Sequence, residues 1–332
     1  MEFIEKIRTR AKFLQKKLVL SEGAEIQSIR AARIILDEQL ASSVTLLGRE
    51  SDIQKLALLE SVNLEDISII DPQRSRDTEK YIGEYYELRK PHGMTKDQAK
   101  TEIVSHLRWG AMMVRLGEAD ALVGGAEDNQ ADVLWAGLAI VGTEPGVKTA
   151  SSCFVIQSRD TDLGVDGALI FSDCTVVPNP FPDQLADIAV SSAQSCRDFL
   201  DAEPAVALIS YSNRESGLIH KDVQKVKDAL EMVKKREPSL VIDGEVQLDT
   251  ALIPEVSNYK APGSPLAGKA NTLVFPDMES ANPAYKTAVI LGKAEAYGPF
   301  LQGFAKPVCF IPRKTSVIKI IITCTAALSK AK

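Results

Sequence analysis

The chain has 332 residues, 45% of them hydrophobic and 25% charged. That is apolar material for one large or two moderate domains, and too much for a disordered chain. Against 45 acidic side chains stand 39 basic ones, a net charge of −6. This argues against a general nucleic-acid or acidic-membrane binder, yet permits a small anion held by a few local cations.

The opening residues, MEFIEKIRTRAKF, alternate charged and apolar groups and lack the continuous apolar core of a secretory signal. Short β-rich runs then alternate with amphipathic stretches. Strands are expected at Lys17–Leu20, Ser43–Leu47 and Ile67–Ile70, and helices at Ile26–Gln39 and Asp77–Arg89. Thr95-Lys-Asp-Gln has the form of a capping box and should open a helix running to about Leu116. Further strands are expected at Ala121–Gly124, Ser151–Gln157, Ala168–Ser172, Ala205–Ser210, Thr272–Phe275 and Val308–Ile311. Further helices are expected at Asp183–Leu200, Lys221–Arg236 and Ser316–Lys330. The most apolar stretch, Val317 to Leu328, is shorter than the roughly 20 residues a bilayer span needs, and Lys319 interrupts it. It reads as a buried terminal helix. Apolar strands alternating with helices predict an α/β fold with mostly parallel sheets flanked by helices. The Gly/Pro break at Gly142–Lys148 suggests a seam, with domains at 1–145 and 146–332.

Cysteines 153, 174, 196, 309 and 324 include no CxxC pair and read as reduced core thiols of a cytosolic protein. His92, His106 and His220 form no HExxH or paired-ligand spacing, so no metal site is expected.

In open parallel sheets, ligands bind beyond the carboxyl ends of the strands. Three polar, small-residue loops fit that position: GGAEDNQ (124–130), YSNRESG (211–217) and FPDMESAN (275–282). None is a dinucleotide fingerprint or a P-loop. Glu127, Asp128 and Glu215 in these loops read better as separate solvated acids than as a cation site. Arg313 and Lys314 stand at the entrance to the last helix, where the dipole opposes cations unless an anion binds. Arg89 ends a helix and either lies exposed or reaches a ligand phosphate. On residues alone the reading stops at an α/β protein with an anion-binding cleft.

Several longer motifs go further. They are SEG near residue 21, ELRK and GMT at 87–95, DALVGGA at 120–126 and DCTVVPNP at 173–180. They continue with QLADIA at 184–189, LISYS at 208–212, IDGEVQLD at 242–249, KAPGSPLAGKAN at 260–271, FPD through AYK at 275–286 and GPFLQGFAKPV at 298–308. In this order and over the whole length, the chain resembles the phosphate acetyltransferases, or phosphotransacetylases. The resemblance implies transfer of an acetyl or other short acyl group between coenzyme A and phosphate, through acetyl phosphate, in acetate metabolism. It implies two α/β domains of the phosphotransacetylase or isopropylmalate-dehydrogenase type with an active-site cleft between them. The last segment then returns to the first domain, giving 1–145 plus 298–332 and 146–297. It also implies a cytoplasmic homodimer without metal or permanent cofactor. Coenzyme A or acyl-CoA and phosphate are the substrates, and neither nucleic acid nor membrane is a partner.

The chemistry requires a thiol to lose its proton, a carbonyl oxygen to be stabilised and phosphate to be held as leaving group. The family motif D-L-S-R-G-x-x-x-x-D aligns with Phe310-Ile-Pro-Arg-Lys-Thr-Ser-Val-Ile-Lys319. Arg313 keeps the arginine, Pro312 stands at the serine and Lys319 at the aspartate. Trp135 stands at the arginine of the ADTxRPAL segment, Glu144 at the lysine of KTKPG, and Gln27 at the arginine of EGxExR. The resemblance therefore assigns Arg313 and Lys319 to catalysis, with Lys319 favouring a neighbouring thiolate electrostatically. It assigns substrate and coenzyme A binding to Arg89, Asn129, Trp135, Ser212, Asn213, Ser216, Asn282, Tyr285, Lys286, Gln302, Gly303 and Pro312. An alternative reading is a catalytically weak or inactive paralogue that binds a metabolite or partner.

Overall fold

A computed structural model of the protein describes residues 3–125, 129–214 and 220–331. From the N-terminus it forms α1 (Phe3–Leu14), β1 (Lys17–Leu20), α2 (Ile26–Asp37), β2 (Ser43–Leu47), α3 (Glu50–Leu59), β3 (Ile67–Ile70), α4 (Thr78–Arg89), α5 (Lys96–Glu102), α6 (His106–Leu116), β4 (Ala121–Gly124) and α7 (Gln130–Ala136). It continues with β5 (Ser151–Gln157), β6 (Ala168–Ser172), α8 (Pro182–Leu200), β7 (Ala205–Ile209), α9 (Lys221–Arg236), β8 (Val241–Val246), α10 (Leu248–Leu252), α11 (Pro254–Lys260) and β9 (Thr272–Val274). Last come α12 (Met278–Ile290), β10 (Glu295–Gln302), β11 (Val308–Phe310) and α13 (Val317–Lys330).

The chain divides into two compact units, one of Ile7–Pro145 with Phe304–Lys332 and one of Met1–Lys6 with Gly146–Gly303. In the first, five parallel strands form a sheet in the order β11-β4-β1-β2-β3. Leu18, Leu20, Leu46 and Val123 of these strands share one core with Ile29 and Ile35 of α2 and Ile320, Cys324 and Leu328 of α13. The apolar run at the C-terminus is thus a helix docked on the sheet, with buried residues at helical spacing and Ile318 and Lys319 exposed.

The second unit carries a six-stranded sheet in the order β10-β5-β6-β9-β7-β8. Here β6, β9, β7 and β8 run parallel, while β5 pairs antiparallel with β6 and β10. Leu185, Ile188 and Ala189 of α8 pack with Val226 and Leu230 of α9 against one set of strand side chains. Ala281 of α12 belongs to a separate core with Phe154, Phe171 and Leu273.

Every expected strand is present, with Ser210, Phe275 and Ile311 falling just past their ends. Two strands escape the sequence pattern. β8 reads VIDGEV, and its acids look like a turn, yet Asp243 and Glu245 are buried. Ser264 Oγ donates to Asp243 at 2.6 Å and Ser212 Oγ to Glu245 at 3.1 Å, which makes this burial tolerable. β10 contains Gly298-Pro299, and the strand crosses it with a register shift between Tyr297 and Phe300. Because β10 pairs with β5, the division between units follows Gly303 rather than residue 298. The expected helix from Thr95 to Leu116 is two helices. Thr95 forms its capping box on α5, and Ser105 opens α6 as a second N-cap.

Candidate active site

In the first unit the strand order reverses between β1 and β4, since β2 and β3 lie to one side of β1 and β4 and β11 to the other. Such a switch point leaves room for a ligand beyond the strand ends. Here β1 is followed by Ser21 and Glu22, β4 by Gly125, and β11 by Ile311, Pro312 and Arg313. The loops interlock: Ser21 N–H donates to Val123 O at 3.1 Å, and Ile311 N–H to Gly124 O at 2.8 Å. Gly125 N–H donates to the buried Glu22 carboxylate at 2.7 Å. Gly125 has φ +117, and a Cβ there would lie 2.4 Å from the Phe310 ring, so glycine is required. Ser21 Oγ is buried and without a hydrogen-bond partner among the described residues, a donor available at the strand end.

Pro312 and Arg313 are exposed on the turn after β11, which the Thr315 hydroxyl closes by donating to Pro312 O. Lys319 is the third residue of α13 and is exposed. Asn129 caps α7, its side chain accepting from Asp132 N–H at 3.0 Å.

Trp135 of α7 lies against two cations. The Arg108 guanidinium is 4.8 Å from the ring centroid and that of Arg89 is 5.5 Å away. Arg108 occupies the first turn of α6, and sequence reasoning did not single it out. The sequence places it inside one long helix; only the break before Ser105 puts it at a helix start, where the dipole is unfavourable to a cation. Arg108 Nε stands 3.5 Å from Glu102, which also accepts the Tyr85 hydroxyl at 2.9 Å. Burial, then this hydrogen bond, pushes the Tyr85 phenol up to about 12. Beside this group, Lys90 and Lys96 each lie 5.6 Å from the Tyr86 ring. Lys90 also pairs with Glu87 at 3.6 Å.

In the second unit, the ends of the parallel strands carry Asp173 and Cys174 after β6, Ser212 and Asn213 after β7, and the 275–277 turn after β9. Asn213 and Gln247 bond reciprocally, side chain to side chain and side chain to backbone, both at 2.8 Å. Ser212 is buried on Glu245, which Lys227 approaches at 3.6 Å. Asp277 caps α12 by accepting from Ser280 N–H at 2.8 Å. Lys225 donates to Asn179 Oδ1 and Pro276 O, both at 2.8 Å, and burial lowers its pKa.

The other candidate residues of this unit lie on α12 and at the end of β10. Asn282 donates to Cys174 O at 3.1 Å. The Tyr285 ring stacks on Phe154 at 4.5 Å, and burial raises its pKa. Lys286 lies exposed, 5.9 Å from that ring. Gln302 is buried, donating to Ser151 and Ser192 and accepting from Ser195. Gly303 has φ +87, and a Cβ there would lie 2.8 Å from Thr149 O. Ser216, Glu127, Asp128 and Glu215 lie outside the described residues.

All five cysteines are buried, and burial pushes the Cys174 and Cys196 thiols upward, the latter to about 11, which makes them poor nucleophiles. Among the described residues, no group of His, Cys, Asp or Glu could hold a metal ion, and no helix is long and apolar enough to cross a membrane.

The family model for phosphate acetyl/butaryl transferases matches residues 2–328. A phosphate acetyltransferase of Treponema pallidum is 46% identical over 330 residues, covering 99% of this chain and 98% of that protein. One from Thermoanaerobacterium thermosaccharolyticum is 43% identical over 321 residues, covering 97% of each. The crystal structure of a phosphotransacetylase from Streptococcus pyogenes superposes with a TM-score of 0.93 at 33% identity, covering 99% of this chain and 98% of that one. The chain belongs to the phosphate acetyl/butaryl transferase family.

Proposed function

We propose that this chain transfers an acetyl or other short acyl group between coenzyme A and phosphate, with both as free substrates and no permanent cofactor. We further propose a cytoplasmic homodimer serving acetate metabolism. The observation that carries the reading is Arg313, the arginine of the family motif, on the turn after β11 beside the glycine-lined end of β4. Anionic ligands bind at such strand ends in parallel sheets.

In the direction of thioester synthesis, the coenzyme A thiolate attacks the carbonyl carbon of acetyl phosphate. The carbonyl oxygen takes up negative charge, the tetrahedral intermediate collapses, and the bond to the phosphate oxygen breaks with its electron pair leaving on phosphate. Arg313 presents a planar fork of N–H donors suited to a phosphate oxyanion. A charged lysine cannot accept the thiol proton, which ends on the departing phosphate, directly or through water. Lys319 instead favours the thiolate by its positive charge, a weaker contribution than a carboxylate base.

The test is release of coenzyme A from acetyl-, propionyl- and butyryl-CoA with phosphate, against Arg313→Ala. Turnover well above that variant supports the reading. Turnover no higher than in Arg313→Ala sinks it, and thermal stabilisation by acyl-CoA without turnover would point to a binding protein.

A further inference from the structure

We propose that Arg108 binds a phosphate oxyanion of the substrate, and that Trp135 is the positioning residue that holds Arg108 and Arg89 for this task. The inference rests on the acyl-transfer reading. Position 135 is where the family motif has an arginine, and tryptophan brings no charge there. The ring nevertheless lies against two guanidinium groups, at 4.8 and 5.5 Å, so Arg108 brings a positive charge to the site beside Arg89. A guanidinium that stacks on an aromatic uses only its face; its N–H donors lie in the plane and remain free for an oxyanion.

The partners of the two arginines fit this role. Arg89 makes no ion pair or hydrogen bond with a side chain among the described residues, and its Nε is buried without a hydrogen-bond partner. Arg108 Nε is also buried without a hydrogen-bond partner; Glu102, its ion-pair partner at 3.5 Å, already holds the Tyr85 hydroxyl, which Arg108 also meets. Arg108 in addition sits in the first turn of α6, where the helix dipole works against a cation. An anion bound there relieves both costs. The ring face is what keeps the two like charges together.

The test compares KM for phosphate, KM for acetyl-CoA and kcat in Arg108→Gln, Trp135→Ala, Trp135→Phe and Glu102→Gln. The expected result for Arg108→Gln is a rise of about tenfold or more in one KM, the loss of one charge-assisted contact, with kcat changed by less than about threefold. A rise for phosphate locates the contact on the transferred group, and a rise for acetyl-CoA on the phosphates of the carrier. Trp135→Ala should follow Arg108→Gln, and Trp135→Phe should recover most of the loss. Glu102→Gln lowers thermal stability and leaves both KM values near wild type. Should the wild-type protein bind coenzyme A without turnover, the acyl-transfer reading fails, and calorimetric affinities of the same variants test Arg108 alone. Unchanged KM and affinity in Arg108→Gln, with only the stability loss seen in Glu102→Gln, would overturn the proposal.

Discussion

Lys319→Asp replaces a lysine in the first turn of α13 with the carboxylate that the family motif carries there. Ser316 is the N-cap and makes no side-chain capping bond, and the first turn contains no acidic residue. Lys319 is exposed, the third residue after that cap. Removing a cation from a helix N-terminus gains about 0.3–1 kcal/mol, and adding an anion gains about as much again. The new side chain can also accept from the Ser316 N–H, one of the two bonds of a capping box. The sum is about 1–2 kcal/mol, or roughly 2–8 °C in the melting temperature of a unit of this size. Thermal unfolding at low salt should show that rise, and at about 1 M salt the dipole part should shrink. In the same variant kcat should increase by roughly 10²-fold, because a carboxylate accepts the thiol proton directly. An unchanged or lower melting temperature at low salt would refute the helix argument. A stability gain with no gain in rate would refute the assignment of position 319 to proton transfer.

Gln302→Leu removes one buried hydrogen bond from each of Ser151, Ser192 and Ser195. It should cost about 3–5 kcal/mol in denaturant unfolding, and a loss under about 1 kcal/mol would contradict this role. Gly125→Ala forces a Cβ to within 2.7 Å of Ile311 O at a positive φ. It should destabilise the first unit by about 1–3 kcal/mol or more and weaken substrate binding, whereas wild-type melting and KM would show that the close approach is not needed. Asp249 accepts from Lys260 at 2.7 Å, and this hydrogen bond holds its carboxyl below the ordinary 3.8. A lowered carboxyl pKa contributes stability above the unfolded value and loses it as pH falls through the folded one. Asp249→Asn should therefore cost about 0.2–1 kcal/mol near neutral pH, the discount reflecting its exposure, and nothing once the pH lies below the carboxylate range. A cost that is constant with pH would contradict the ion pair.

Local pattern carried most of the fold. The core strands are short apolar runs bounded by turn residues, and α9 and α13 show clean helical spacing, so each is legible without its neighbours. β8 and β10 were not legible because their unusual residues are explained only by distant partners. Asp243 and Glu245 are buried because Ser264, Ser212 and Lys227 meet them there. Gly298-Pro299 continues a strand because β5 pairs on both sides of it. The site shows the same limit. Motif resemblance named Arg89, Trp135 and Arg313 but not Arg108, whose relevance appears only when α4, α6 and α7 bring three side chains together. It grouped Gln302 with the binding residues, and the structure surrounds that side chain with three serines, two of them one turn apart on α8.

The central claim is that one acyl group passes between a thiol and phosphate. Purified protein incubated with acetyl-CoA and phosphate should release coenzyme A thiol and form acetyl phosphate in equal amounts, the latter measured by trapping with hydroxylamine. Both products should disappear together when phosphate is omitted. Thiol release that continues without phosphate and yields only acetate would mean hydrolysis, and no thiol release at all would mean no transfer; either result would contradict the account.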